Sequence, residues 1–445
     1  MLNALNDSDG SAVDWWFMYK LPKGVGSGGS KATAGNEYLY YDPAQGQPLA
    51  LSPNTLGSGP GGAWFRTLRQ VFGEAASAPP AGLGWICYND EYPADLRDGV
   101  AASPCDWPPR VKPKINGANA REKDRNKPVD DPHNGHCKGI LAFDLASDSA
   151  LWISHSTPKI PDLNAAGDRY YFYPADEDEY AQTFLCITLD GVKTANAIAA
   201  VLATQHEPQI FSCHLPAGVG ESGDWAELWN LAQGIVPPAY GPHYKPAGAV
   251  RQPADLSFSS RAGKTFRLLA KSGGWMHDLW LDWIEPSLSA DLRVETWRRL
   301  TASATLPADN AAGGPTAEYG SGDFVTENNG VAYHHEFLDA DGQHAIDEVT
   351  TIDLGRLTDA AGKPLSGLAW SYTKDHAKWA VSEPVADRGD HASEDDPNAA
   401  ADWICVADMN RMSSQESRGG GAICFHEPLL WRGLNDIERI DGAIT

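Results

Sequence analysis

The sequence predicts an α/β protein made of two related halves that share one site. Three observations carry this reading. Apolar runs with strand character alternate with short helical stretches, the signature of layered strands and helices. The chain has 445 residues, enough to bury a large core or two. The pattern His-x-Lys recurs in the same setting about half a chain apart: His136-Cys137-Lys138 in GHCKGILAFD and His376-Ala377-Lys378 in DHAKWAVSE, each ahead of an apolar run. A third copy, His243-Tyr244-Lys245 in PPAYGPHYKPAG, lies between prolines that fix φ and remove donors. That copy reads as a loop and is set aside.

The elements follow in order. Residues 13–21 (VDWWFMYKL) read as a strand, 24–36 as a Gly/Ser-rich loop, 37–41 as a strand and 64–72 as a helix. Residues 84–88 form a strand, then comes a long basic loop, then paired strands at 136–144 and 150–155. A strand at 183–189 leads into an Ala-rich, Pro-free helix at 192–204, and 215–256 reads as a connector. The second half restarts with a strand at 264–271 and a Trp-rich helix at 275–284. Strands follow near 292–298, 345–353, 366–372, 376–382 and 402–407. The halves divide as 1–230, with the first motif, and 231–445, with the second.

Composition bounds the function. No segment approaches the uninterrupted apolar stretch of a membrane span. The opening MLNALNDSDG has no signal-peptide pattern and resembles a mature start behind an added Met. The net charge of −24 argues against phosphate binding by the chain as a whole. The charge is uneven, however. Between Arg110 and Lys127 seven bases (Arg110, Lys112, Lys114, Arg121, Lys123, Arg125, Lys127) face two acids. Just ahead of His136, this stretch is either a solvated loop or an arm that grips a nucleic-acid backbone.

Seven cysteines leave one odd. Cys405 and Cys424 bound a Gly-rich polar loop that a disulfide would close. Cys87, Cys137, Cys186 and Cys213 sit in strand-like runs and read as buried thiols. No CxxC or HExxH motif occurs, and the His334-His335 doublet would point its rings to opposite faces of a strand, so no metal site is expected.

In a strand, residues i and i+2 share a face, so each motif would present an imidazole beside an ammonium. Two such pairs facing each other would grip one phosphodiester. A neutral imidazole attacks phosphorus, a protonated one gives a proton to the leaving 5′-oxygen, and the two lysines neutralise the non-bridging oxygens. His136 is assigned as nucleophile and His376 as acid. One ring must be neutral and the other charged, so activity should peak near or below the ordinary His pKa of ~6.5.

Eight ordered blocks give the chain a family resemblance. AVDWWFMYKLP, EYLYYD, YND at 88–90, GHCKGILAFD, LWISHSTPKIP, TFLCITL, DHAKWAVS and WICVADMNRMSSQESRGGGAIC resemble, nearly end to end, the acid deoxyribonucleases of type II. The resemblance implies a phospholipase-D-like fold of two pseudo-symmetric halves of mixed sheet flanked by helices, with one shared active site. It implies cleavage of double-stranded DNA at acid pH to 3′-phosphate ends without cofactor or metal. By position, His136, Lys138, His376 and Lys378 match the two motifs and His155 a further functional histidine. Asn410 resembles the Asn that follows the phospholipase-D motif. Cys405 and Cys424 match a family disulfide, and Arg411 and Arg418 inside its loop are candidate phosphate ligands. The chain departs from the phospholipase-D pattern at Phe143 and Glu383, where that motif carries Asp. It also lacks the family's N-terminal and C-terminal cysteines. The expected partner is double-stranded DNA, not a membrane, with a homodimer left open. The expected setting is a secreted, periplasmic or lysosome-like acidic compartment. A phospholipase-D-type enzyme acting on lipid and a non-catalytic Trp-rich binding module are the rival readings.

Overall fold

The computed structural model describes residues 1–26, 32–56, 61–73, 79–91, 134–161, 173–234, 251–298, 306, 324–328, 331–335, 346–359, 361–383 and 402–440. The basic stretch 110–127 therefore lies outside the described residues.

Two large sheets dominate. The first is antiparallel, with eight strands in the order Ile210–His214, Leu83–Tyr88, Gly139–Asp144, Ser149–His155, Gln182–Leu189, Trp15–Lys20, Glu37–Tyr41, Ala50–Thr55. The second has seven, in the order Ala254–Ser259, Thr265–Lys271, Gly420–His426, Trp403–Ala407, Trp379–Ser382, Leu292–Glu295, Ile346–Glu348. It is mixed, because its last pair is parallel. Five strands follow one order in both sheets. The strands starting at Leu83, Gly139, Ser149, Gln182 and Trp15 lie side by side, as do those starting at Leu292, Trp379, Trp403, Gly420 and Thr265. In each set the earliest strand of the chain packs beside the latest.

The sheets are buried on both faces, which explains runs such as WWFMYK that show no polar alternation. Trp15, Phe17 and Tyr19 point between the two sheets, while Trp16 and Met18 point outward under the helix Ala63–Phe72. Between the sheets, the Trp15 ring lies 5.1 Å from Phe425, and Tyr19 lies 6.2 Å from Trp379. The helices Gly191–Val201 and Pro428–Ile437 join this central layer through Ile198, Leu430 and Leu434. Trp280 and Ile284 cover the outer face of the second sheet.

Several elements differ from expectation. The connector 215–256 contains the helix Ala226–Gln233, which buries Leu228 and Leu231. The Trp-rich helix is one wide turn, Trp280–Ile284, followed by Glu285–Leu288. Gly420–His426 is a strand, although its glycines suggest a loop. Those glycines serve close approach: a Cβ on Gly421 would lie 2.7 Å from His206 Nε2, and one on Gly420 2.4 Å from Met409 Cγ. The helix Pro428–Ile437, which opens with Pro as helix starts favour, was also not expected.

Cys405 and Cys424 stand opposite each other on adjacent strands and form the disulfide. Cys87, Cys137 and Cys186 are buried free thiols. Cys213 corrects the reading of four thiols. It is disulfide-bonded and lies on the edge strand Ile210–His214 of the first sheet. Among the described residues no helix is long and apolar enough to cross a membrane.

Candidate active site

The strands begin at Gly139 and Trp379, so both His-x-Lys segments stand just ahead of a strand, not within one. The expectation that the motifs lie within strands is corrected: each lysine carbonyl still joins the ladder of the strand that follows, but the histidine amide bonds elsewhere. The Lys138 carbonyl accepts from the His155 amide (3.1 Å) and the Lys378 carbonyl from the Ala407 amide (2.8 Å). Each histidine amide then crosses to the other sheet's side. His136 N donates to Gly419 O (3.0 Å) and His376 N to Ala181 O (2.9 Å). Gly419 and Ala181 each immediately precede the last strand of their five.

The surroundings of His136 are ionic. Its Nδ1 is 2.6 Å from the Asp408 carbonyl, which can only accept, so Nδ1 carries a proton and, in the neutral ring, Nε2 does not. Nε2 lies 3.5 Å from Asp90 Oδ2, and Asp90 Oδ1 lies 2.6 Å from Lys138 Nζ. Arg418 Nη2 is 3.9 Å from Asp90. The same guanidinium donates to the carbonyls of Asn134 (2.9 Å) and Gly135 (3.2 Å), fixing the approach to His136. Burial would raise the Asp90 carboxyl, but Lys138, His136 and Arg418 together hold it below the usual carboxylate range. Burial and the Lys138 charge push His136 well below its ordinary value, and Asp90 pulls the other way.

The surroundings of His376 are aromatic. Tyr180 stacks on its ring at 3.9 Å, 9° from parallel, and Trp297 meets it edge-on at 5.4 Å. Lys378 Nζ donates to the His376 carbonyl at 2.5 Å. Burial, then Lys378 and Lys138, push His376 down to about 3. Burial, then Lys138, bring Lys378 down to about 7. Lys378 also acts on His136, so both motifs lie in one electrostatic field. Behind His376, the Asp375 carboxylate accepts from Tyr19 Oη, from Trp370 Nε1 (2.8 Å) and from the Ala377 amide (2.8 Å).

The other expected residues divide. His155 is buried at the end of its strand, 6.0 Å edge-on from Trp64 and 5.7 Å from Phe184. Burial and Lys138 push it down to about 3, so it is neutral. Asn410 is buried two residues past Asp408, its side-chain oxygen without a hydrogen bond among the described residues. Arg411 is fully buried, with Nε 2.8 Å from Asp278 and Nη1 3.2 Å from Glu348, and its Nη2 makes no hydrogen bond among the described residues. Arg110, Lys112, Lys114, Arg121 and Lys123 lie outside the described residues.

Sequence reasoning missed Asp90, Tyr180, Trp297 and a pair of buried lysines. Lys20 ends the strand Trp15–Lys20 and donates to the carbonyls of Gly35 (2.7 Å), Glu177 (3.0 Å) and Asp178 (3.0 Å). Lys271 ends the matching strand Thr265–Lys271 and donates to those of Gln415 (3.4 Å), Glu416 (2.7 Å) and Arg418 (3.0 Å). Each lysine thus holds the loop that supports the other sheet's histidine, Tyr180–Ala181 for His376 and Arg418–Gly419 for His136. The signal was a lysine closing each of two similar apolar runs.

One group could present three ligands to a metal: Cys137, His206 and Asp408, whose ligand atoms lie within 4.8 Å of one another. Each already has a protein partner. Asp408 Oδ1 accepts from Gly421 N (2.8 Å), Oδ2 contacts His206 Nδ1 (3.0 Å), and Cys137 Sγ donates to the His206 carbonyl (3.6 Å). The trio reads as a structural tie beneath His136.

The family model Deoxyribonuclease II matches residues 5–439. The chain is 33% identical to the "Putative deoxyribonuclease-2" of Burkholderia pseudomallei, over 98% of this chain and 92% of that protein. It is 24% identical to the "Deoxyribonuclease-2-alpha" of Sus scrofa, over 98% of this chain and 89% of that protein. It is 26% identical to the "Deoxyribonuclease-2" of Caenorhabditis elegans, over 97% and 91%.

Proposed function

The chain belongs to the deoxyribonuclease II family, and from that premise we propose that it is an endonuclease that hydrolyses double-stranded DNA at acid pH to 3′-phosphate ends. No metal takes part. One histidine of the two motifs attacks phosphorus to give a phosphohistidine, and the other protonates the leaving 5′-oxygen. Lys138 and Lys378 neutralise the charge that builds on the non-bridging oxygens. His155, whose backbone amide holds the Lys138 carbonyl, and Asn410, two residues past the Asp408 that binds His136, are supporting residues in this reading, and Arg418 stands 3.9 Å from Asp90. The halves 1–230 and 231–445 form a phospholipase-D-like pair around this single site.

The observation that carries the reading is the crossing of the two motifs. Each histidine amide is bound by the opposite sheet's loop, and each motif's lysine acts on the other motif's histidine. A lone strand histidine needs no such arrangement. The common order of five strands in both sheets supports the duplication. An acidic compartment suits a chain of net charge −24, because protonation at low pH weakens its repulsion of DNA.

The test is plasmid digestion at pH 5 in millimolar chelator, with end-group analysis. Nicked and linear plasmid with 3′-phosphate ends is the expected product. Loss of cleavage that magnesium or zinc restores would overturn the metal-free mechanism. Turnover of phosphatidylcholine without plasmid cleavage would overturn the substrate.

A further inference from the structure

We propose that Asp90 is a positioning residue that makes His136 the proton donor and leaves His376 as the nucleophile. The inference rests on the function proposed for this site and deepens it. It also reverses the order expected from the sequence, in which His136 attacks.

The two sheets allow a residue-by-residue comparison. Gly139 and Trp379 each follow a motif lysine, and they pair with Tyr88 and Glu295. Two residues further on, the first half carries Asp90 and the second carries Trp297. The same backbone position thus gives one histidine a carboxylate and the other an aromatic edge. Asp90 Oδ2 is 3.5 Å from His136 Nε2, the nitrogen left free by the bond from Nδ1 to the Asp408 carbonyl.

Asp90 is also held in place. The Asn89 amide donates to Gln209 O (3.1 Å), and the Asn89 side chain donates to the carbonyls of Thr157 (3.2 Å) and Ile160 (3.1 Å). Such an anchored carboxylate orients the imidazolium and stabilises its charge.

The groups facing His136 are Asp90, Lys138, Arg418 and Lys378, with the Asp408 carboxylate turned toward His206. Those facing His376 are Lys378, Lys138, Lys20, Asp90 and the Tyr180 ring. Lys378 acts most strongly of these charges on His376, and Asp90 least. A ring stack supports a cation far less than a carboxylate near contact does. Burial lowers both rings, so what separates them is contact: a carboxylate stands 3.5 Å from His136 Nε2, whereas the His376 ring is stacked on Tyr180, which holds it rigidly as an attacking nitrogen requires.

The bonds balance. A ring nitrogen of His376 forms a bond to phosphorus as the P–O5′ bond breaks, and the proton on His136 Nε2 passes to O5′. His136, now neutral, takes a proton from a water that attacks phosphorus. The P–N bond breaks, freeing the 3′-phosphate and restoring both rings.

The experiment pairs H136A and H376A on two substrates at pH 5: plasmid, and thymidine 3′-(4-nitrophenyl phosphate), whose leaving group needs no proton. Both variants should lose plasmid cleavage by on the order of 10²-fold or more. H136A should keep the first-turnover release of nitrophenolate within about 10-fold of wild type and stall at the phosphoenzyme, since the first step then needs no acid, while H376A should lose that burst. Rescue of H376A instead, or of neither variant, overturns the assignment. Plasmid activity retained by both variants sinks the site itself, a separate failure. For Asp90, D90N should move the lower descending limb of kcat/KM against pH to lower pH, and D90E should restore it. A limb unmoved in D90N removes Asp90 from the mechanism, and the activated-ester result stands whether or not D90N folds.

Discussion

The neighbourhoods of His136 and His376 share a backbone plan and differ in side chains. In both, the motif stands ahead of a strand, its lysine carbonyl bonds the neighbouring strand's chain, and its histidine amide bonds the opposite sheet's loop. In both, a buried lysine at the end of the first strand ties that loop down, Lys20 through two of its carbonyls and Lys271 through three. Around the rings the likeness stops. Asp90 and Arg418 surround His136 with charge, while Tyr180 and Trp297 enclose His376 in aromatic rings. The difference teaches how one backbone plan can carry two different charge settings. Backbone hydrogen bonds fix where two imidazoles stand, and a few side chains set what charge surrounds each.

The hardest break is removal of either ring. H136A and H376A should each fold and each lose plasmid cleavage by on the order of 10²-fold or more, the usual contribution of acid–base groups. Near-full turnover by either variant, with circular dichroism unchanged, would detach that half from the site.

The buried lysines test the shared scaffold. Lys20→Met and Lys271→Met each orphan buried carbonyls, at about 1–3 kcal/mol apiece. Both variants should melt earlier and show lower kcat at similar KM. The comparison is sharpened by what differs between them. Lys20 is a positive charge acting on His376, so its loss should let the His376 pKa rise, measurable by NMR of the ring proton. Lys271 is not among the main charges acting on His136 and should leave that ring's titration in place. Equal effects of both variants on both rings would contradict the cross-support read from the loops.

A smaller effect separates the motif lysines. Lys138 has Asp90 at 2.6 Å, whereas Lys378 has the His376 carbonyl and a pKa brought down to about 7. An amine whose pKa is lowered is charged below that value and neutral above it. In the proposed role Lys378 would neutralise phosphate only in acid, and kcat/KM should show an upper descending step as pH rises through about 7. Lys378→Arg cannot deprotonate in this range and should abolish the upper step even where kcat falls. Persistence of the step in that variant would assign it elsewhere.

The smallest effect concerns the basic stretch at 110–127. Replacing Lys112, Lys114, Arg121 and Lys123 with Ala should weaken DNA binding equally across sequences. The slope of log K against log salt should flatten by about 0.9 for each phosphate that is no longer neutralised. Turnover at saturating DNA should stay near wild type. An unchanged slope would make the stretch a solvated surface.

The sequence by itself determined the two His-x-Lys segments, most of the strands and the Cys405–Cys424 bridge. It could do so because those signals are local: a doubly buried strand must be apolar along its length, and a motif is read within three residues. Only the tertiary structure decided what surrounds the rings. His136 meets Asp408 across 272 positions of chain, and Arg418 reaches Asn134 across 284. The fate of Arg411 was equally remote, since Asp278 lies 133 positions away. Periodicity links neighbours a few residues apart, whereas a proton's position depends on charges brought close by two sheets packing face to face. A carboxylate at 3.5 Å and a ring at 3.9 Å, both far from the motif in the chain, set the difference between two identical side chains.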